Sequence, residues 1–236
     1  AFLLAAGLGT RLGALTKAKP KCLLPIGERS LLGHWLLLLA EHGYSEVLVN
    51  LHHLAEQVTD YLARQSLPLR VTKAYEPGLL GTAGTVRANR GFVADQSSFL
   101  IAYADNFTDA DLTDLMNVHE RNGAPLTMGL FHAPQPQQCG IAEVGADGRL
   151  LSFVEKPARP ATATANAGIY AAGQALFDYL PETVPLDFGT DVLPRLVGRA
   201  RGHLLSGQVI DIGTPEGYAA AQEAHAHGGL TNPTTH

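Results

Sequence analysis

The chain has 236 residues, of which 46% are hydrophobic and 7% aromatic, and a formal net charge of −5, enough to bury a sizeable core in one large domain or two small ones. Acidity with few aromatics speaks against a nucleic-acid-binding face, and no run of 18 apolar residues is present to cross a bilayer, since the longest candidate, Leu31 to Ala40, is interrupted by Gly33 and His34. Two cysteines far apart, Cys22 and Cys139, without CxxC spacing, fit a reducing cytoplasm and point away from zinc or disulfide chemistry.

The charge is unevenly placed. The first 27 residues hold Arg11, Lys17, Lys19 and Lys21 and no acid, whereas the remaining 209 carry 13 bases against 22 acids. These cations follow an apolar run, Ala1 to Ala6, that reads as a strand, and a glycine turn, Gly7-Leu8-Gly9-Thr10. A strand ending in such a turn exposes backbone N–H groups, and fixed cations beside them make an anion site suited to a polyphosphate.

Beyond this loop, short apolar runs alternate with amphipathic stretches, the pattern of a mainly parallel sheet with helices packed on it. Strands are expected at Glu46 to Leu51, Leu69 to Ala74 and Ser98 to Tyr103, and helices at Leu31 to His42, Leu54 to Gln65 and Thr85 to Arg90, joined by right-handed crossovers. A helix at Leu112 to Arg121 and a strand at Leu126 to Phe131 follow. The texture then changes: Ile141 to Val144, the turn at Asp147-Gly148 and Leu150 to Glu155 read as an antiparallel hairpin. Asn166 to Tyr170 reads as a strand, Gln174 to Tyr179 and Asp191 to Gly198 as helices, and Gln208 to Ile212 as the final strand. Thr214 as N-cap and Pro215 at the first helical position open a closing helix that runs to Ala226. The expected class is α/β, a Rossmann-like mixed, mainly parallel sheet flanked by helices with a small antiparallel hairpin insertion. One domain over residues 1–227 and a disordered tail at residues 228–236 are expected.

Ala5-Ala6-Gly7-Leu8-Gly9-Thr10-Arg11-Leu12 matches neither common glycine-rich fingerprint. A dinucleotide loop needs glycine where Leu12 stands, and a P-loop needs GK[ST] after its second glycine. With Pro20-Lys21 and Leu24-Pro25 added, LLAAGLGTRL followed by KPKCLLPIG resembles the N-terminal signature of the sugar-1-phosphate nucleotidylyltransferases, and the resemblance continues in order over most of the chain. It implies that the turn, with Ala6, Gly7, Gly9 and Thr10, holds a nucleoside triphosphate, and that Arg11 and Lys21 contact its phosphates. Fixed cations near the departing pyrophosphate would stabilise its growing charge. Lys17 and Lys19 match no specific position and read as steering or solvated charges.

The remaining motifs follow in family order. Glu76 to Val86, EPGLLGTAGTV, lies along the nucleobase in the family; its GTAG is most like guanylyl-transferring members, which makes Gly81 and Thr82 the expected base contacts. Asp105, in Tyr103-Ala104-Asp105-Asn106, follows a strand at the carboxyl edge where open α/β sheets bind ligands. The resemblance makes it an Mg²⁺ ligand, although Ala104 replaces the family's usual glycine. Asp211, in VIDIGTPEGY, is similar to the second metal aspartate; two carboxylates with phosphate oxygens form the hard-oxygen environment Mg²⁺ prefers. Glu155-Lys156-Pro157 corresponds to the element that meets the sugar phosphate, Lys156 neutralising the attacking phosphate and Glu155 bonding a sugar hydroxyl. Gly140 would let backbone approach the sugar, with Cys139 where the family often has an aromatic, and Asn166, in NAGIY, is the sugar-hydroxyl ligand or else a strand-edge asparagine satisfying a loop.

Other features carry less. Asp187-Phe188-Gly189 spells a kinase tripeptide without the accompanying kinase pattern and belongs with DFGTDVLPRL, a stretch leading into a late helix. His52-His53 and His225, His227 and His236 read as incidental, the latter three at a frayed terminus.

The resemblance therefore implies transfer of a nucleoside monophosphate from a triphosphate to a sugar 1-phosphate, releasing pyrophosphate. The nucleophile is already an anionic phosphate oxygen, so no general base is required, only alignment and charge neutralisation. GTP with mannose- or heptose-1-phosphate is the leading pair, ahead of uridylyl transfer to a glucose- or muramic-type sugar and cytidylyl transfer to an alcohol phosphate. A catalytically silent nucleotide-sugar sensor on the same fold is the alternative of another class. Partners are then the two substrates, with neither nucleic acid nor membrane, and a homo-oligomer remains open.

Overall fold

A computed structural model describes residues 1–228. In chain order the first half comprises β1 (Phe2–Leu4), α1 (Ala14–Lys17), β2 (Pro25–Ile26), β3 (Arg29–Ser30), α2 (Leu31–Glu41), β4 (Glu46–Leu51), α3 (Ala55–Ala63), β5 (Arg70–Tyr75), α4 (Thr82–Ala88), β6 (Ser98–Tyr103) and β7 (Asn106–Thr108). The second comprises α5 (Leu112–Asn122), β8 (Leu126–His132), β9 (Gly140–Val144), β10 (Leu150–Glu155), β11 (Thr164–Gly173), β12 (Arg201–Leu204), β13 (Val209–Asp211) and α6 (Pro215–Ala226).

Among the described residues, nine strands form one sheet, in the order β10-β9-β11-β6-β1-β4-β5, with β8 also paired to β11 and β12 paired to β8. Strands β6, β1, β4 and β5 run parallel to their neighbours, while β11 turns antiparallel against β6, β8 and β9. The expected mixed α/β architecture is therefore present, with the parallel half carrying the N-terminal motif and the antiparallel half carrying the hairpin. Side-chain alternation along each strand explains why the sheet is covered on both faces. Leu3, Val47, Val49, Leu100, Ala102 and Ile169 feed one apolar core, and Phe2, Leu4, Leu48, Phe99, Ile101 and Tyr170 feed the other.

Helix starts follow local chemistry. Ser30 Oγ accepts from Gly33 N at 3.1 Å to open α2, Asp111 Oδ1 accepts from Asp114 N at 2.9 Å to open α5, and Thr214 Oγ1 accepts from Gly217 N at 3.1 Å to open α6. Each bond satisfies one of the N–H groups that a helix start leaves unpaired.

Several expectations are corrected. α4 begins at Thr82, three residues before the expected Thr85, because Gly81, at φ 81°, is already its N-cap. Gln174 to Tyr179 and the Asp191 to Gly198 region form 3₁₀ and π turns at Gln174–Tyr179, Phe188–Val192 and Leu193–Leu196. Pro194 has no N–H to continue an α-helix, which accounts for the broken form of the later segment. The strand expected at Gln208 to Ile212 contracts to β13, which pairs antiparallel with β7 in a separate two-stranded sheet. β12 was not anticipated, since Arg201-Gly202-His203-Leu204 lacks the apolar alternation of a strand. His225 lies in α6, its ring 5.5 Å from that of His34. Of the expected disordered tail, residues 229–236 lie outside the described residues.

Candidate active site

The glycine turn after β1 is held by the residues that follow it. Thr16 Oγ1 donates to Gly9 O at 2.9 Å, and Leu12 N and Gly13 N close tight turns onto Gly9 O and Thr10 O. Gly9 sits at φ 64°, where a Cβ would come within 2.9 Å of Thr16 Cγ2, so glycine suits both the dihedral and the space. Above Gly7, by contrast, a Cβ would meet nothing within 4 Å. Backbone is thus open to a close-approaching ligand there.

Lys21 reaches into the same crevice from the following 3₁₀ turn. Its side chain is only 6% exposed, and Nζ donates to Asp105 Oδ2 at 2.9 Å and lies 3.5 Å from Asp211 Oδ1. Arg11 Nη2 stands 3.7 Å from Asp211 Oδ2, with both side chains about half exposed. Cations and carboxylates from four chain segments therefore meet at one point.

The two aspartates are not on one sheet edge. Asp105 follows β6 of the main sheet, whereas Asp211 ends β13 of the small one, opposite Asn106 in register. Ile212 N donates to Asp105 O at 3.0 Å and so locks the two turns together. Trp35, 2% exposed, supports the junction from α2 by donating Nε1–H to Asn106 O at 2.7 Å, while Asn106 Nδ2 bonds Ala167 O at 2.7 Å. Gly213 keeps the space clear, because a Cβ there would press on Arg11 Nη2 and Asp211 Oδ1.

Two cavities, each of about 230 Å³, open on either side of this junction and share Tyr103, Asp105 and Asp187. The first is walled by Ala6, Gly7, Lys21, Gly81 and Thr82, all expected for the nucleotide, and by Asn50, Glu76 and Thr85. Glu76 is buried, and its Oε1 accepts from Asn50 Nδ2 at 2.9 Å and Thr85 Oγ1 at 2.5 Å, while Oε2 accepts from Leu80 N at 3.2 Å. Asn50 Oδ1 in turn accepts from Ala5 N at 2.7 Å, tying the carboxylate to the start of the glycine loop. Neutral donors replace a counter-ion here, which is how a buried carboxylate is made tolerable. Gly81 must remain bare, because a Cβ would collide with the Leu186 carbonyl. Thr82 donates to Asp187 Oδ2 at 2.9 Å and accepts from Phe188 N at 2.9 Å, so its hydroxyl is committed to the late turn.

The second cavity brings together Arg11, Asp105, Gly140, Glu155, Lys156, Asn166 and Asp211. Glu155 closes β10, and a Cβ at Gly140 would come within 2.7 Å of its Oε2, so the glycine makes the seat for the carboxylate. Lys156, at φ 46° and 60% exposed, lies 3.5 Å from Glu155 Oε1 and is anchored by its N–H to Cys139 O. Asn166 Nδ2 donates to Tyr170 Oη at 2.7 Å and its Oδ1 accepts from Gly168 N at 2.9 Å, which spans the irregular step in β11. Its polar atoms thus satisfy the local bend first. Cys139 borders the cavity as a protonated thiol. Burial raises its pKa, the Asp211 and Glu155 charges add to that, and Lys156 opposes them.

Thr10 is exposed on the turn beside Arg11. Sequence reading missed Asn50, Tyr103, Tyr170 and Asp187 as site residues. Tyr170 Oη donates to Tyr103 Oη at 3.3 Å, which donates to Thr82 Oγ1 at 3.4 Å, linking the cavities. Burial raises both phenol pKa values, so both remain O–H donors. Tyr103, Tyr170 and Asp187 lie within quoted motifs, Asn50 has no such signal, and nothing in their spacing brings Asp187 to Thr82, 105 positions earlier.

An open α/β sheet with a cationic glycine turn after β1, and with Asp105 beyond β6 meeting Asp211 of the small sheet, places this crevice at the carboxyl ends of the parallel strands, where such sheets bind ligands. The nucleotidyl transferase family model matches residues 1–228, and the chain belongs to that family. It is 31% identical over 212 residues, 84% of its length, to a UTP–glucose-1-phosphate uridylyltransferase of Synechocystis, and 27% identical over 223 residues, 92% of its length, to a mannose-1-phosphate guanylyltransferase of Mycobacterium tuberculosis. The chain spans 55% and 62% of those two relatives' lengths. It also superposes on the crystal structure of HddC from Yersinia pseudotuberculosis with a TM-score of 0.80 at 25% identity, covering 95% of this chain and 98% of that one.

Proposed function

We propose that the chain transfers a nucleoside monophosphate from a triphosphate to a sugar 1-phosphate, releasing pyrophosphate, with GTP as the donor. The observation that carries the reading is the meeting of Lys21, Arg11, Asp105 and Asp211 between two cavities, one walled by the glycine loop and the other by Glu155 and Lys156. Phosphoryl-type transfer asks for this arrangement: alignment of two substrates on one phosphorus, and cations where charge grows. Arg11 and Lys21 serve the triphosphate and the departing pyrophosphate, and Lys156 serves the incoming phosphate.

Asp105 and Asp211 fit a divalent cation. Both reach the same ammonium, at 2.9 and 3.5 Å, so their oxygens already converge on one positive charge, and both side chains are about half exposed. Their all-oxygen donor set is the kind Mg²⁺ takes alongside substrate phosphates. When bound, the ion would neutralise phosphate charge and polarise the reacting group.

The relatives are what support guanine. Glu76, in the wall of the nucleotide cavity, already accepts two bonds on Oε1 and one on Oε2, which leaves a single acceptor direction for a base donor. Mannose-1-phosphate guanylyltransferases among the relatives, and an HddC structure complexed with GMP-PN, agree in kind. The uridylyl alternative rests on the 31% identity to the uridylyltransferase. Pyrophosphate release, measured with each of the four triphosphates over a panel of sugar phosphates, with and without Mg²⁺, tests all of this. Release only with GTP and metal is expected; a UTP preference moves the donor, and no release with any pair favours a sensor.

A further inference from the structure

On that reading of the reaction, the acceptor lies against Gly140, Glu155 and Lys156, and one further carboxylate borders its cavity without a role in the scheme. Asp187 opens the turn at Phe188–Val192, at the boundary of both cavities. The next residue but one is the key to its surroundings. A Cβ at Gly189 would come within 2.8 Å of Glu155 Oε2 and 3.2 Å of Asp187 Oδ1, so the two carboxylates flank one bare backbone position.

The bonds that hold Asp187 also decide what it can receive. Oδ1 accepts from Gly189 N at 2.8 Å and Oδ2 accepts from Thr82 Oγ1 at 2.9 Å. Behind Thr82 the donors run in one direction, from Asn166 through Tyr170 and Tyr103. Asp187 ends this relay as an acceptor. Each carboxylate oxygen has two lone-pair directions, and one internal bond on each leaves a second for a ligand donor. Oδ1 is the oxygen beside Gly189 and Glu155, which border the acceptor cavity and not the nucleotide cavity.

We infer that Asp187 is a specificity-determining residue of the acceptor site, receiving with Glu155 the hydroxyl protons of a polyhydroxylated sugar phosphate. Selection then falls on acceptors with two free ring hydroxyls facing this wall, and against analogues lacking either. The same hydroxyl chemistry is available from the ribose of the triphosphate, and the test separates the two sources.

The experiment compares wild type and Asp187→Asn with the best acceptor, its monodeoxy analogues, and 2′- and 3′-deoxy forms of the triphosphate. Asparagine with its oxygen on Gly189 N would keep Oδ1, so Asp187→Ala, which removes both oxygens, is measured beside it and carries the decision, and thermal unfolding checks that both variants fold. The expected result is a loss in kcat/KM for the full acceptor of about ten- to a hundredfold, the scale of a charged hydrogen bond. One monodeoxy acceptor should cost wild type as much and cost Asp187→Ala nothing further, while triphosphate Kd stays within about twofold of wild type. Independent losses for every monodeoxy acceptor overturn the inference, as does non-additivity appearing with a deoxyribose triphosphate instead. If Asp187→Ala does not fold, wild type alone decides, because indifference to all monodeoxy acceptors overturns it and a loss at two ring positions supports it. No pyrophosphate release from wild type with any pair would remove the reaction itself, a result distinct from turnover with independent losses.

Discussion

Lys21 and Lys156 are the same residue type at two sides of one junction, yet the fold treats them in opposite ways. Lys21 is 6% exposed and bridges Asp105 and Asp211, whereas Lys156 is 60% exposed, stands on a left-handed backbone and has its ammonium 3.5 Å from the neighbouring Glu155. A buried ammonium must be held by partners before the substrate arrives, while an exposed one pays side-chain entropy when the ligand orders it. On the proposed reading, the nucleotide side is organised in advance by Asp105 and Asp211, and the acceptor side is completed by its ligand. This comparison can be broken or sharpened experimentally.

The largest effect should come from the carboxylates that organise Lys21. Asp105→Asn or Asp211→Asn is expected to lower turnover by about a thousandfold or more, since charge stabilisation by a metal is worth several kcal/mol. Circular dichroism should show the fold kept, with a lower unfolding midpoint for Asp105→Asn, which takes the 2.9 Å partner from a buried ammonium. Near-normal turnover in both variants would remove the metal assignment.

Next come the lysines themselves. Lys21→Met should reduce kcat by about a hundred- to a thousandfold, as expected for a preorganised group at developing charge. Lys156→Met should cost about ten- to a hundredfold and fall mainly on the acceptor KM. Arg11→Ala should weaken the triphosphate instead, read by calorimetric titration of triphosphate into each variant. Equal weakening by Lys156→Met and Arg11→Ala would erase the distinction between the two sides.

A smaller and more selective change is expected at Glu76. Glu76→Gln keeps the size and, with its amide at the Oε2 position, removes the one acceptor direction left for a base donor, so kcat/KM should fall about tenfold or more with GTP and less with UTP. An unchanged GTP to UTP ratio would detach base choice from this carboxylate. The smallest effect belongs to Cys139, whose thiol is raised by burial first and then by Asp211 and Glu155. Less thiolate exists at pH 8 than in a free cysteine, so alkylation should be slow there and accelerate at higher pH, and Cys139→Ser should change turnover less than about twofold. Cys22, pushed to about 12 by burial, should stay unmodified in the folded protein. Mass spectrometry after timed alkylation checks both.

Legibility varied along the chain for physical reasons. Bounds of β4, β6, β10 and α6 matched their expected residues because alternation, turn chemistry and the Thr214-Pro215 cap are local signals. β7 and β12 had no local signal, and β13 is shorter than the strand expected at Gln208 to Ile212, because each is short and is defined by the partner it pairs with. Asp187 is read from sequence only as part of DFGTDVLPRL, since its place beside Thr82 and Glu155 is something that only folding brings about.

The amino-acid order by itself determined the glycine turn with its cations, the alternation of strands and helices, and the family, because backbone preference, periodicity and motif spacing are written within a few residues of one another. Tertiary structure alone decided that Asp105 and Asp211 meet across two different sheets, that Lys21 is buried between them, and that Glu76 is satisfied by Asn50 and Thr85. Those are distances between segments up to 190 positions apart. They follow from how the sheets pack and register, which no local pattern specifies.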